Sequence, residues 1–351
     1  MAASYRVFSR AANIGILKSI AYRRTECTGS RLGCSVGHQH YGQRGQKHML
    51  NGTAFSLGGI LAFLGLEKPK EDPLIYTIKL GILNLQRKEY NKAESILHVA
   101  LKMAQEQMNE QGETYIYDVL ANVAFEKGEY KKAETLFLEV MRRAISKGMA
   151  RDDNAIVEMS LKLAQIYSLH NNTFKADEGF KFCIDTQQKK ISTIDLSDAS
   201  VLTDYEQDTL LLWAMSMDAY GKHHLKHDRL KEAKDCLEEA LDVCERVNGK
   251  LSEQTLVLLN DVATVYSHLG DFSSAHKFIM QAIQRGKDTD SPHLPVFYCN
   301  LGAVLLREGQ DLERARNVCH DALKLAKKMK HAEALEDAKG CLDELKRKKH
   351  N

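Results

Sequence analysis

The chain has 351 residues, 49 Lys or Arg against 47 Asp or Glu, a formal net charge of +2 and eight cysteines with no CxxC pair. So balanced a charge argues against a nucleic-acid binder, and the scattered cysteines exclude both a secreted disulfide scaffold and a paired-cysteine metal module; they read as free thiols in a reducing compartment. The balance conceals two unlike parts: residues 1–66 hold eight basic residues and one acid, Glu26, which leaves 41 basic and 46 acidic residues for the remainder.

Residues 1–48 are rich in Arg, Ser, Ala and Gly. This is the composition of a mitochondrial transit peptide, a cationic amphipathic segment drawn inward by the membrane potential, and Val7, Ala11, Ile14 and Leu17 supply its apolar stripe. Residues 49–66 carry no charge, and their apolar part, 54–66, is short for a membrane span and weakened by the four glycines of 49–66. This segment, with a linker to residue 72, reads as an inner-membrane anchor, an import sorting signal or a stretch removed on maturation.

From Pro73 to about residue 330 a helix pair recurs six times. A small residue on one helix is followed about twelve residues later by an alanine, with a bulky residue or cysteine four beyond. The small residue and alanine are Gly81 and Ala93, Ala121 and Ala133, Ala164 and Ala176, Gly221 and Ala233, Ala263 and Ala275, and Gly302 and Ala315. Small residues belong where two antiparallel helices cross closely, and each pair needs its neighbours to bury its apolar faces, so the pattern predicts a helical solenoid. Turns fall at glycine-containing polar clusters around Gly128 and Gly270. An insertion rich in Ser, Thr and Asp lies at 191–203, and residues 331–351 read as a charged amphipathic capping helix with a solvated basic tail at 346–349.

These helix pairs resemble the tetratricopeptide family. Successive second-helix alanines are 40, 43, 57, 42 and 40 residues apart, against about 34 in the standard repeat. The longer units are similar to the kinesin-light-chain branch, as are the runs LNDVATVY at 259–266 and YCNLG at 298–302. The expected fold is all-α: a right-handed superhelical tetratricopeptide-repeat solenoid of about six helix pairs with a C-terminal capping helix.

The resemblance implies a concave groove lined by the first helix of each repeat, through side chains about three before and one after the small residue. These are Ile78 and Ile82, Asp118 and Asn122, Leu161 and Gln165, Asp218 and Lys222, Asn260 and Thr264, and Cys299 and Ala303. The candidate peptide-binding residues are Asp118, Asn122, Gln165, Asp218, Lys222, Asn260, Thr264 and, beside Cys299, Asn300. Their amides and acids suit a peptide backbone and basic ligand side chains. Lys222 stands nearly alone among them, which argues against a basic clamp for an acidic C-terminus.

No Gly-rich phosphate loop, dinucleotide fingerprint or HExxH motif occurs, and no catalytic residue, cofactor or metal is expected. His223, His224, His227 and Asp228 are the only dense cluster of ligand-type residues, and they read as a polar turn rather than a metal site.

Taken whole, the chain resembles a group of mitochondrial tetratricopeptide proteins of the inner membrane associated with respiratory complex III. That resemblance implies a non-enzymatic, matrix-facing factor supporting assembly and integrity of complex III. It would bind the complex and aid clearance of N-terminal fragments of the Rieske iron–sulfur subunit. Two other classes fit less well. A cytosolic kinesin-light-chain-like cargo adaptor leaves the basic N-terminus without a purpose and would need a heptad region, and a fragment-degrading hydrolase lacks a nucleophile–base or metal motif.

Overall fold

The structure, a computed structural model, describes residues 72–194 and 202–350; the expected transit sequence, the apolar segment and the middle of the expected insertion lie outside the described residues. Among the described residues there are thirteen α-helices and no strand. No described helix is long and apolar enough to cross a membrane. The chain divides between Lys127 and Gly128 into two compact units.

The first unit presents α1 (Pro73–Gln86), α2 (Tyr90–Glu106) and α3 (Glu110–Lys127). Helix α1 starts where the Asp72 carboxylate accepts the Leu74 N–H at 2.9 Å and Pro73 presets the backbone of the first turn. Gly81 lies so close to α2 that a Cβ there would stand 2.7 Å from Leu97 Cδ2. The small residue of the motif therefore marks a helix crossing with no room for a side chain. Lys127 at the end of α3 reaches back to Glu94 on α2 at 2.7 Å.

The second unit holds α4 (Tyr130–Ser146), α5 (Asn154–Leu169), α6 (Thr173–Ile191), α7 (Asp204–Lys226), α8 (Leu230–Asn248), α9 (Glu253–Leu269), α10 (Phe272–Asp288), α11 (Leu294–Glu308), α12 (Leu312–Met329) and α13 (Ala332–His350). Helices α5 to α12 form four of the expected pairs in order. A Cβ on Gly221 would lie 2.8 Å from Leu237 Cγ and 3.2 Å from the Ala233 carbonyl oxygen, and one on Gly302 would lie 2.6 Å from Cys319 Sγ. The second-helix residues that receive these crossings, from Ala176 and Phe180 to Ala315 and Cys319, are all buried.

Seven residues after the small one, each first helix ends and the chain turns through the left-handed region, at Lys88, Gly128, Asn171, Asp228, Gly270 and Gly309. A second regularity ties repeat to repeat. The residue after the packing alanine reaches the next first helix: Tyr167 Oη donates to Glu134 at 2.9 Å, His223 Nε2 lies 3.3 Å from Asp177, and His276 Nε2 lies 3.0 Å from Glu308. The long fourth spacing is absorbed in part by helix length, since α6 has 19 residues and α7 has 23, the latter opened by a capping box between Thr203 and Glu206.

One expectation needs correction. Cys319 and Cys341 are not free thiols: α13 lies beside α12, brings their Cα atoms to 6.2 Å, and the two form a disulfide packed against Gly302. Residues 22 apart and on different helices give no local spacing signal, which is why the sequence alone does not show the pair. Cys183, Cys236, Cys244 and Cys299 are free, and burial pushes the thiols of Cys236 and Cys299 up to about 12; Cys27 and Cys34 lie outside the described residues. Helix α13 buries Ala334, Ala338 and Leu345 and turns Glu336, Lys339 and Asp343 outward, as an array cap should.

The close crossing gives a test of opposite signs. Gly221→Ala is expected to destabilise the protein by about 1–3 kcal/mol through overpacking. Gly340→Ala, whose new Cβ meets nothing within 4 Å on an exposed turn of α13, should stabilise it by roughly 0.5–1 kcal/mol. Urea-unfolding midpoints that move the same way in both variants would contradict this packing account.

Candidate binding face

The eight residues singled out from sequence fall in both units. Asp118 and Asn122 lie on α3, where the Asn122 amide donates to the Asp118 carbonyl at 2.8 Å and approaches its carboxylate at 3.4 Å. In the second unit Gln165 is on α5, Asp218 and Lys222 on α7, Asn260 and Thr264 on α9, and Asn300 on α11. Four other mapped positions, Ile78, Ile82, Leu161 and Cys299, are buried, as are Asn122, Asp218 and Asn260 among the eight. Leu161 is 1% exposed in the core between α5, α6 and α7, and Cys299 is covered by α13, donating to the Ala334 carbonyl at 3.4 Å.

The structure links five polar side chains on three successive first helices of the second unit into one row. Lys222 Nζ lies 2.8 Å from Asp218 Oδ2 on its own helix and 2.9 Å from Asp261 Oδ2 on α9. Asp261 accepts from the Asn260 amide at 3.3 Å, and Asn260 Oδ1 accepts from the Asn300 amide of α11 at 2.7 Å. Thr264 turns back to the Asn260 carbonyl at 3.0 Å. Asp261 escapes the sequence mapping because it sits one position off the expected groove line, and only the Lys222 contact reveals its part.

Two carboxylates share one ammonium here, so the row carries a net negative charge. Burial and the neighbouring Asp261 push the Asp218 carboxyl up to about 6 against the opposing pull of Lys222. Burial works against the charge on Lys222, but Asp218 and Asp261 hold its pKa above the ordinary lysine range. The acids are thus clipped to a cation rather than left bare, and Asp218 and Asn260 are themselves buried, 5% and 4% exposed.

The histidine cluster belongs to the scaffold. His223 is 1% exposed, with its Nδ1 2.7 Å from Ser168 Oγ on α5 and its other nitrogen toward Asp177 on α6. Asp177 in turn holds Arg229 through two contacts at 3.1 and 3.2 Å. The His224 ring lies 4.0 Å from that of Tyr220, and burial lowers the pKa of both His223 and His224 to about 4, so each is neutral near pH 7. Among the described residues no group of three or more His, Cys, Asp or Glu side chains is arranged to hold a metal ion.

Removing the shared cation tests the row. Lys222→Met leaves Asp218 and Asp261 facing each other and should lower the unfolding free energy by about 3–5 kcal/mol, with part of that loss recovered when Asp218→Asn is added. Chemical denaturation of the single and double variants measures the coupling, and strictly additive losses would contradict it.

Comparison with known proteins agrees with this architecture. A family profile described as tetratricopeptide repeat matches residues 212–288, which span α7 to α10 and carry four of the five row residues. The chain is 34% identical over 279 residues to tetratricopeptide repeat protein 19, mitochondrial, of Homo sapiens, covering 79% of this chain and 73% of that protein. It is 32% identical over 281 residues to the mitochondrial homolog of Drosophila melanogaster, covering 80% and 73%. The fold is similar to that of the apo quorum sensor NprR of B. thuringiensis, with a TM-score of 0.61, 16% identity and coverage of 82% of this chain and 74% of that one. It is also similar to a Rap protein complexed with competence and sporulation factor, with a TM-score of 0.54, 14% identity and coverage of 83% and 80%. Repeat pattern, helix pairing and these relatives agree: the chain belongs to the tetratricopeptide repeat protein 19 family.

Proposed function

We propose that this protein is a non-catalytic mitochondrial factor that binds a polypeptide of respiratory complex III and supports the assembly and integrity of that complex. The observation that supports the binding part is the row from Lys222 to Asn300, in which amides and a clipped acid pair on three successive first helices are bonded to one another. Such a surface pairs with peptide amides and carbonyls along an extended or helical ligand. Its net negative charge favours a basic ligand over an acidic one. The mitochondrial setting rests on the names of the relatives and on the basic, acid-poor residues 1–48, which act as the transit sequence in this reading.

Complex III comes from the resemblance of the whole chain to the mitochondrial group described above. In that reading the ligand is an N-terminal fragment of the Rieske iron–sulfur subunit, which is basic, and the protein helps to clear it from the complex at the matrix face of the inner membrane. The all-helical repeat fold supplies a scaffold for this task, with turnover of the fragment left to another enzyme.

Blue-native electrophoresis of detergent-solubilised mitochondria carrying a tagged copy tests the partner. The tag is expected to run with the complex III dimer, and the paired substitution Asn260→Ala and Asn300→Ala should lower that fraction severalfold while far-UV circular dichroism stays unchanged. A mitochondrial tag found only as a free species would remove complex III as the partner. Co-migration indifferent to the two substitutions would move binding away from this row.

A further inference from the structure

Helix α13 is joined to the array by a thin apolar face and one covalent bond. Of the four residues it buries, Ala334, Ala338, Cys341 and Leu345, only Leu345 is large, with Leu335 and Leu342 half-buried beside them. Its neighbour α11 buries Phe297, Leu301, Leu305 and Leu306 among others, and apolar stabilisation grows with the area removed from water. The ion pairs of α13, Lys339 with Glu336 and Lys346 with Asp343, lie within the helix itself. Among the described residues, two hydrogen bonds cross to the array, from Cys299 Sγ to the Ala334 carbonyl at 3.4 Å and from Lys348 Nζ to the Leu306 carbonyl at 2.7 Å. Gly340, in the middle of α13, has nothing within 4 Å of the place its Cβ would take, so it weakens the helix with no gain in packing.

The covalent bond is the disulfide between Cys319 and Cys341, which ties the middle of α13 to α12. Both cysteines are buried, at 0% and 9% exposure, and both lie over Gly302, where an added Cβ would stand 2.6 and 3.1 Å from their sulfurs. The other four described cysteines are free. One disulfide in a chain of otherwise free thiols, placed where a thinly packed helix is attached, is the arrangement of a bond that answers to redox conditions, because disulfides in reducing surroundings are chiefly transient or redox-sensing.

We infer that Cys319 and Cys341 form a redox latch for the array cap: oxidised, the pair pins α13 onto α11 and α12, and reduced, it lets α13 leave and uncovers them. The reductant is a dithiol of the thioredoxin class. Its thiolate attacks Cys341 Sγ, the less buried of the two sulfurs; the S–S bond breaks, and Cys319 departs as a thiolate that takes up a proton. The second thiol of the reductant then displaces Cys341, which is protonated in turn. Two electrons and two protons thus pass to the protein, and the reductant ends as a disulfide. Because both cysteines are buried, the attack follows a local opening of α13. Release uncovers Cys299, which is 6% exposed beneath Ala334 and forms one cluster with Ala322, Ala326, Ala334 and Ala338. While α13 is docked, burial pushes the Cys299 thiol up to about 12 and keeps it unreactive. This inference does not depend on the partner proposed above.

The test measures alkylation of Cys299 in the full chain. Protein treated with oxidised glutathione, and the same protein reduced with dithiothreitol and desalted, are pulsed with N-ethylmaleimide, and the labelled peptides are quantified by mass spectrometry. Cys183 on α6, 0% exposed, is the internal control for unfolding elsewhere. Cys299 is expected to label roughly tenfold faster in the reduced protein, with Cys183 unchanged. Cys341→Ser without reductant should match the reduced wild type. Equal Cys299 rates in the two states would make the disulfide a passive staple. A parallel rise at Cys183 would mean that the array unfolds rather than releasing its cap, and Cys319 and Cys341 labelled without prior reduction would mean that no bond forms. Any of these three outcomes overturns the inference.

Discussion

The fold depends on one steric constraint, the contact between a first-helix small residue and the second helix of its own repeat. At Gly81, Gly221 and Gly302 a single added carbon would stand 2.6 to 2.8 Å from its neighbour. Where that contact is made the two helices are locked in register, and other features follow at fixed offsets. The left-handed turn comes seven residues later and the packing alanine twelve or thirteen. With those offsets set, the residue after the alanine meets the next first helix, as Glu134 meets Tyr167 and His276 meets Glu308. One close approach thus propagates into a one-dimensional array whose stability is shared between neighbours.

The same regularity assembles the polar row of the second unit. Because Asp218, Asn260 and Asn300 occupy near-equivalent positions on successive first helices, their side chains come within reach of one another, and Lys222 and Asp261 close the gap between α7 and α9. Polar side chains bonded in a row hold one another in place. The ammonium beside Asp218 offsets only part of the cost of desolvating it, so its carboxyl stays above the usual range. The His223 to Arg229 region uses equally polar residues for a different end, joining α5, α6, α7 and α8 through Asp177 and Ser168.

Much of this architecture is legible in the sequence, because the constraint that makes it is local. Gly and Ala at the crossings, Ala twelve or thirteen residues on, and the glycines at 128, 270 and 309 are all within reach of a periodicity argument. The equivalent turns at Lys88, Asn171 and Asp228 carry no glycine and are visible only by register. Contacts between distant elements are another matter. The Cys319 to Cys341 disulfide, the part played by Asp261 and the burial of Cys299 under α13 each depend on how separate helices lie together. A groove position defined by offset alone becomes core wherever a neighbour covers it, as at Leu161.

The central claim is that the first-helix face of this tetratricopeptide array receives the partner polypeptide. An electron cryomicroscopy map of the protein bound to purified complex III tests it most directly. The account predicts continuous polypeptide density against the row formed by Lys222, Asp261, Asn260 and Asn300. Density that meets the protein only through the exposed faces of second helices, such as that bearing Phe174 and Phe182 on α6, would contradict it.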